Sequence, residues 1–84
     1  MRLNELPKAS CSEENIITDR QLITRERELL HAGFMPMQEV DISMVANPRE
    51  AIERLKMSGE NSGRDSVIIQ YGYQYKLWTK SEAA

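Results

Sequence analysis

Apolar positions recur at helical spacing over residues 18–32, where four of them fall on one face. These four are Leu22, Ile23, Leu29 and Leu30. Thr18 and Gln21 have the S/T-x-x-E/Q spacing of a capping box, in which each side chain satisfies a backbone N–H of the other. Gly33 then offers the left-handed residue that commonly ends a helix. The pattern predicts a helix that begins after Thr18 and ends before Gly33.

The period shortens to two over residues 38–45. Val40, Ile42 and Met44 alternate there with polar residues, which is typical of a strand with one face on the core and the other in water. Pro36 precedes this segment and lacks a backbone N–H. The strand is therefore expected to start after Pro36 or to lie at the edge of a sheet.

A second helix is predicted over residues 48–58. Asn47 is a preferred N-cap residue, Pro48 suits the first helical position, and Gly59 is expected to end the helix. The following residues, 59–66, contain two glycines and no apolar side chain. They are predicted to form an exposed loop.

Residues 67–79 are rich in the types that favour strands, namely Val, Ile, Tyr, Trp and Thr. A type II′ turn places glycine first, so Gly72 and Tyr73 are predicted to join two antiparallel strands, with Ile68 opposite Leu77. A strand bent sharply at Gly72 is a variant of this prediction. One uninterrupted strand of thirteen residues is the alternative.

Together these elements predict a small α+β domain over residues 16–80, in the order α-β-α-β-β. The sheet is expected to be mixed and three-stranded, with both helices packed on one face. The strand over 38–45, the helix after it and the strand that starts at residue 67 are expected to form a right-handed crossover with parallel strands. Residues 1–15 have little apolar periodicity and are predicted to be a flexible N-terminal arm. Residues 81–84 are predicted to be a C-terminal tail.

The chain has 84 residues, one cysteine and a formal net charge of −2. A domain of this size is marginally stable without a metal, a disulfide or a partner subunit. Cys11 alone cannot form an internal disulfide, which favours a reducing compartment. The N-terminus has no signal-peptide pattern, and the longest aliphatic run, residues 67–69, is far shorter than a membrane span. We therefore expect a cytoplasmic protein without a membrane segment.

Residues that carry enzyme chemistry are sparse in this chain. His31 is the single histidine, and it lies where a cation meets the negative end of a helix dipole. One cysteine and one histidine cannot supply the three or four ligands of a zinc site. Glu39 and Asp41 share a strand face, but the solvated side of an amphipathic strand explains them without catalysis. We expect a protein that is not an enzyme and holds no cofactor or metal.

Aromatic and methionine side chains supply the candidate contact residues. Tyrosine and tryptophan beside lysine suit either a protein interface or the stacking of single-stranded bases. Flexible methionines suit adaptable binding surfaces. The predicted contact residues are Met35, Met37, Tyr71, Tyr73, Tyr75, Lys76, Trp78 and Lys80.

The mildly acidic net charge does not attract phosphate. We therefore predict a protein-interaction module, a small regulatory or inhibitory accessory protein that binds a macromolecular partner through its C-terminal aromatic strand. A homodimer is a further candidate assembly, because two short helices leave part of a small sheet uncovered. The alternative function is a nucleic-acid-binding module that stacks single-stranded bases on the same strand.

Overall fold

A computed structural model of the chain describes residues 10–81. In chain order its elements are β1 (Cys11–Ile16), α1 (Asp19–His31), β2 (Phe34–Asp41), α2 (Pro48–Asn61), β3 (Ser66–Tyr71) and β4 (Gln74–Lys80). A single 3-10 turn, Ile42–Met44, follows β2. Two helices and one mixed sheet confirm the predicted α+β class.

The sheet has four strands in the order β1-β3-β4-β2. β1 is parallel to β3, whereas β4 is antiparallel to both of its neighbours, β3 and β2. The hairpin of β3 and β4 therefore occupies the centre, and β1 and β2 are the edges. The prediction of three strands is wrong, because the apolar pattern does not reveal β1. β2 and β3 run in the same direction, as the predicted crossover requires, but β4 lies between them.

All of β1 except Ile16 lies in residues 1–15, which were predicted to be a flexible arm. Its residues Cys11–Ile16 pair along their whole length with β3, so the prediction of an arm is wrong for this part. β1 is held by backbone hydrogen bonds to the central strand β3. An edge strand that pairs in this way needs little apolar periodicity in its own sequence. Residues 1–9 of the predicted arm and 82–84 of the predicted tail lie outside the described residues.

The helices pack on opposite faces of the sheet, and the prediction that both share one face is wrong. The core on the α1 face holds Leu29, Val67, Ile69 and Trp78. The core on the α2 face holds Leu55, Ile68, Tyr75 and Leu77. The crossover through α1 runs from edge β1 to edge β2, and the crossover through α2 returns to β3. Crossovers of equal handedness that run in opposite directions place their helices on opposite faces.

Both predicted helix starts are confirmed. The Gln21 N–H donates to Thr18 Oγ1 at 3.1 Å within a complete capping box. The Glu50 N–H donates to Asn47 Oδ1 at 3.2 Å. The predicted end of α2 at Gly59 is wrong, since the helix continues past it. Gly59 is buried where α2 packs on the sheet, so its missing side chain serves close packing rather than helix termination.

The predicted hairpin is confirmed, and the uninterrupted strand is excluded. Gly72 has a φ of +62°, and Ile68 lies opposite Leu77. β2 begins and ends four residues earlier than the predicted strand over 38–45. It includes Pro36, because an edge strand tolerates a residue without an N–H.

Candidate interaction surface beside β2

β2 is an edge strand whose middle residues neither helix covers. It pairs with β4 on one side, and its other edge has no neighbour among the described strands. Five consecutive residues, 35–39, are exposed although they belong to a regular strand. By contrast, the first four residues of β3 are all buried. β2 is therefore the part of the sheet that the fold leaves open.

Ion pairs link both helices to the opposite edge of the sheet. Arg25 of α1 donates from Nε and Nη2 to the two carboxylate oxygens of Glu14 in β1, at 2.8 and 2.7 Å. This hydrogen bonding raises the pKa of Arg25. Lys56 of α2 lies 3.7 Å from the carboxylate of Glu13, also in β1. These ion pairs hold each helix to the β1 edge, while both helices also contact β2 near its ends, at Phe34 and Val40.

Methionines line the α2 face of β2. Met35 lies opposite Thr79, and the Met37 sulfur lies 3.8 Å from the Thr79 hydroxyl oxygen. Thr79 lies on the α2 face, because it follows Leu77 of that core by two residues along β4. Directly opposed residues of antiparallel strands lie on the same face of the sheet, so Met35 also lies on the α2 face. Met35 and Met37 are 55% and 51% exposed. Both side chains are thus available to a partner.

α1 contributes two apolar side chains beside the other face of β2. The Glu26 carboxylate lies 3.8 Å from Lys76 Nζ of β4, so this side of α1 faces β4 and β2 rather than β1. Ile23 precedes Glu26 by three residues and Leu30 follows it by four, which places them on the same side. They are 53% and 51% exposed. We define the β2 surface as Ile23, Leu30, Met35, Pro36 and Met37.

Pro36 interrupts the outer edge of β2. The Ser81 N–H donates to the Gly33 carbonyl across the ladder between β4 and the start of β2. The direction of the backbone N–H and C=O groups alternates from one residue of a strand to the next. Those of Met35 therefore also point towards β4, and the backbone of Pro36 faces the outer edge. The register shifts between Pro36 and Gln38. A missing outward N–H and a bulge both discourage the addition of a further strand, so this surface is suited to contact through side chains.

A groove of about 390 Å³ lies between β2 and α2. Val40, Ala51 and Leu55 line it with apolar groups. The ion pair between Glu50 and Arg54, 2.7 Å apart, lies at the same groove. Because Val40 packs on the α2 face, the groove extends the β2 surface towards α2.

Charges lie at the two ends of β2 rather than along its middle. Residues 34–38 carry none, whereas Glu39 and Asp41 lie at the C-terminal end. Lys80 pairs with the first residue of β2, at the N-terminal end. The Ser43 hydroxyl and N–H donate to Asp41 and hold the pKa of its carboxyl below the usual value, so this end is anionic.

The predicted contact residues do not form one surface. Tyr75 and Trp78 are buried in the two cores, on opposite faces of β4. Lys76 lies 3.8 Å from Glu26 and 6.0 Å from the centroid of the Trp78 ring. Of the remaining residues, Tyr71 is half-buried and Tyr73 and Lys80 are exposed near opposite ends of the β3–β4 hairpin. Met35 and Met37 are the two predicted contact residues that are exposed and lie beside each other.

Ile23 and Leu30 were not among the predicted contact residues. Both were predicted to lie on the core face of α1, of which only Leu29 is buried. The sequence signal that could have indicated their exposure is the width of the apolar face of α1. Two adjacent apolar pairs, seven residues apart, make a stripe wider than a single line of contact with the sheet requires.

Among the described residues, no group of three or more His, Cys, Asp or Glu side chains is arranged to hold a metal ion. Cys11 packs on the α2 face, near Gly59. His31 ends α1 on the other side of the sheet. The two side chains that could form a nucleophile and base pair are therefore separated by the sheet.

Comparison of the chain with protein-family models, curated proteins and solved structures finds no match. Within residues 10–81, neither helix has the length and apolar character needed to cross a membrane. The fold and surface define a small α+β domain with an open, apolar sheet edge. Its function is inferred from this geometry.

Proposed function

We propose that this chain is a protein-interaction module and that the β2 surface is its contact site. The observation that supports the proposal is the exposed run 35–39 in a regular strand, with exposed apolar side chains beside both faces. Half-exposed side chains of this size contribute on the order of 1 kcal/mol each when a partner removes them from water. The open strand therefore offers a substantial driving force for association.

The proposal keeps the class predicted from sequence, a small regulatory or inhibitory accessory protein that binds a macromolecular partner. It moves the contact site from the aromatic strand to β2. Tyr75 and Trp78 fill the two cores, so exposing them to a partner would unfold the domain. Met35 and Met37 belong to neither core and contact a partner without such a cost.

Capture of partners from the native host tests this proposal. The full-length tagged chain is cross-linked in cells, purified and examined by mass spectrometry, beside the double variant Met35→Glu/Met37→Glu. Met57→Glu is the matched control, because Met57 is 56% exposed on α2, outside the β2 surface. We expect the double variant to lose a protein that the control retains. Equal recovery with both variants would exclude the β2 surface as the contact site, provided that circular dichroism shows both to be folded.

The nucleic-acid alternative has weaker support. Trp78 is 3% exposed, and Lys76 lies close to Glu26, so the predicted stacking platform is largely covered. We expect a single-stranded oligonucleotide to leave Trp78 fluorescence unchanged at low salt. A fluorescence change that weakens steeply as salt rises would favour nucleic-acid binding instead.

A further inference from the structure

We propose that the β2 surface binds a second copy of this chain, with the two β2 strands antiparallel about a two-fold axis. This inference rests on the proposed function, because it names the partner of the same surface. A two-fold arrangement requires one surface to be complementary to itself. Two features of β2 meet this requirement, and a third determines which groups make the contact.

The first feature is the distribution of apolar residues. When Phe34 lies opposite the partner's Asp41, Met35 lies opposite the partner's Val40. Opposed residues share a face, and both pairs satisfy this: Met35 and Val40 lie on the α2 face, whereas Phe34 and Asp41 lie on the α1 face. The uncharged residues 34–38 of each copy then oppose residues 37–41 of the other, so that Met37 meets Gln38 at the centre and no like charges are opposed.

The second feature is charge complementarity between the two ends. Antiparallel strands bring the N-terminal end of one β2 to the C-terminal end of the other. Lys80, which pairs with Phe34, then lies two strands from the partner's Asp41, about 10 Å between Cα atoms and on the same face. Lysine and aspartate side chains span this separation. The partner's Glu39 lies near the same lysine.

The third feature is that the outer edge of β2 does not offer an unbroken row of backbone hydrogen-bonding groups. Pro36 turns outwards without an N–H, so two copies cannot form an uninterrupted ladder. Association then depends on side chains beside both faces, including Ile23 and Leu30 of α1. The charged residues of β1, Glu13 and Glu14, make the opposite edge unsuited to a symmetric apolar contact.

Sedimentation equilibrium of the full chain over a range of concentrations tests the inference. We expect a reversible monomer–dimer equilibrium. Met37→Glu buries a charge in the interface and is expected to weaken dimerisation by about tenfold or more. Met57→Glu is expected to leave the dissociation constant unchanged, because Met57 lies on the outer side of α2, two residues after the buried Leu55.

A charge exchange tests the antiparallel arrangement itself. Within one chain Asp41 pairs with Gln74, and Lys80 lies six residues further along β4, about 20 Å away. Attraction between Asp41 and Lys80 is therefore screened within a chain, whereas the proposed arrangement brings Lys80 within about 10 Å of the partner's Asp41. We expect Asp41→Lys and Lys80→Glu to weaken dimerisation separately and the double variant to recover most of the loss. A double variant no tighter than the single variants would overturn the arrangement.

A chain that stays monomeric at every concentration would overturn the second copy as partner. If Met35→Glu/Met37→Glu nevertheless lost a captured protein that Met57→Glu retained, the proposed function would stand without the dimer. If that capture were also unaffected, both proposals would fail. A wild-type dimer that persisted unchanged in Met37→Glu and Met35→Glu would place the interface elsewhere and overturn the inference as well.

Discussion

Gly59 marks a close approach of α2 to the sheet. A Cβ atom there would lie 2.6 Å from Ser66 Oγ and 2.9 Å from Cys11 Sγ, well inside ordinary contact. Gly59→Ala therefore forces helix and sheet apart, at about 1–3 kcal/mol. Alanine gains roughly 1 kcal/mol over glycine within a helix, so we expect a net loss of stability. Urea unfolding measures it, and Ser66→Ala should recover part of it. Equal stability of Gly59→Ala and wild type would refute the close packing.

Asp41 makes the end of β2 sensitive to acid. Its side chain accepts from the Ser43 hydroxyl and N–H, which lowers the pKa of the carboxyl. A carboxyl whose pKa is lower in the folded chain stabilises the fold above its unfolded pKa. That contribution is lost as pH falls through the folded pKa.

Ser43→Ala removes the stronger of the two donors to Asp41. We expect the pKa of Asp41 to rise towards its ordinary value in this variant. A ¹³C NMR titration of the Asp41 carboxyl in both proteins measures the change. Identical titration curves would show that the Ser43 hydroxyl does not stabilise the carboxylate.

At the scale of elements, the capping box is expected to dominate the start of α1. Thr18→Ala removes the oxygen that accepts from the Gln21 N–H, at a cost of about 1 kcal/mol in the free energy of unfolding. Thr24→Ala makes the same chemical change at an exposed position inside α1, where alanine has the higher helix propensity. We expect thermal unfolding to show a loss for Thr18→Ala and none for Thr24→Ala. Equal losses would indicate that the cap contributes nothing specific.

Some elements were predictable because their signals are local. The capping box at Thr18, the Asn47 cap and the turn at Gly72 each depend on residues a few positions apart. β1 was not predictable in this way. Its residues are polar or alternate weakly, and its partner strand begins at Ser66, far along the chain. A strand held by parallel pairing with a distant segment leaves little trace in its own sequence.

At the scale of the whole molecule, the sequence of β3 carries a signal for the placement of the helices. Three consecutive buried residues, Val67, Ile68 and Ile69, occupy β3. Successive side chains of a strand point to opposite faces, so a continuous apolar run indicates a strand covered on both sides. This pattern predicts one helix on each face, as the structure has it.

The proposed contact site could be predicted only in part. Met35 and Met37 were identified because methionine suits exposed, adaptable contacts. The tyrosines and Trp78 were assigned to the same site on composition. Strand order, which puts β4 at the centre and β2 at the edge, depends on tertiary pairing that composition does not encode. Of these aromatic residues, Tyr75 and Trp78 therefore belong to the cores, whereas Tyr73 lies exposed at the turn.

In the proposed dimer, β2 is the open edge of one chain and the contact edge between two. The most direct test is a series of ¹⁵N–¹H NMR spectra of the full chain at increasing concentration. We expect shifts that change with concentration at residues 34–41 and around Ile23 and Leu30, while the amides of β1 and Met57 stay constant. Spectra that do not change with concentration, or changes centred on β1, would contradict a dimer formed through β2.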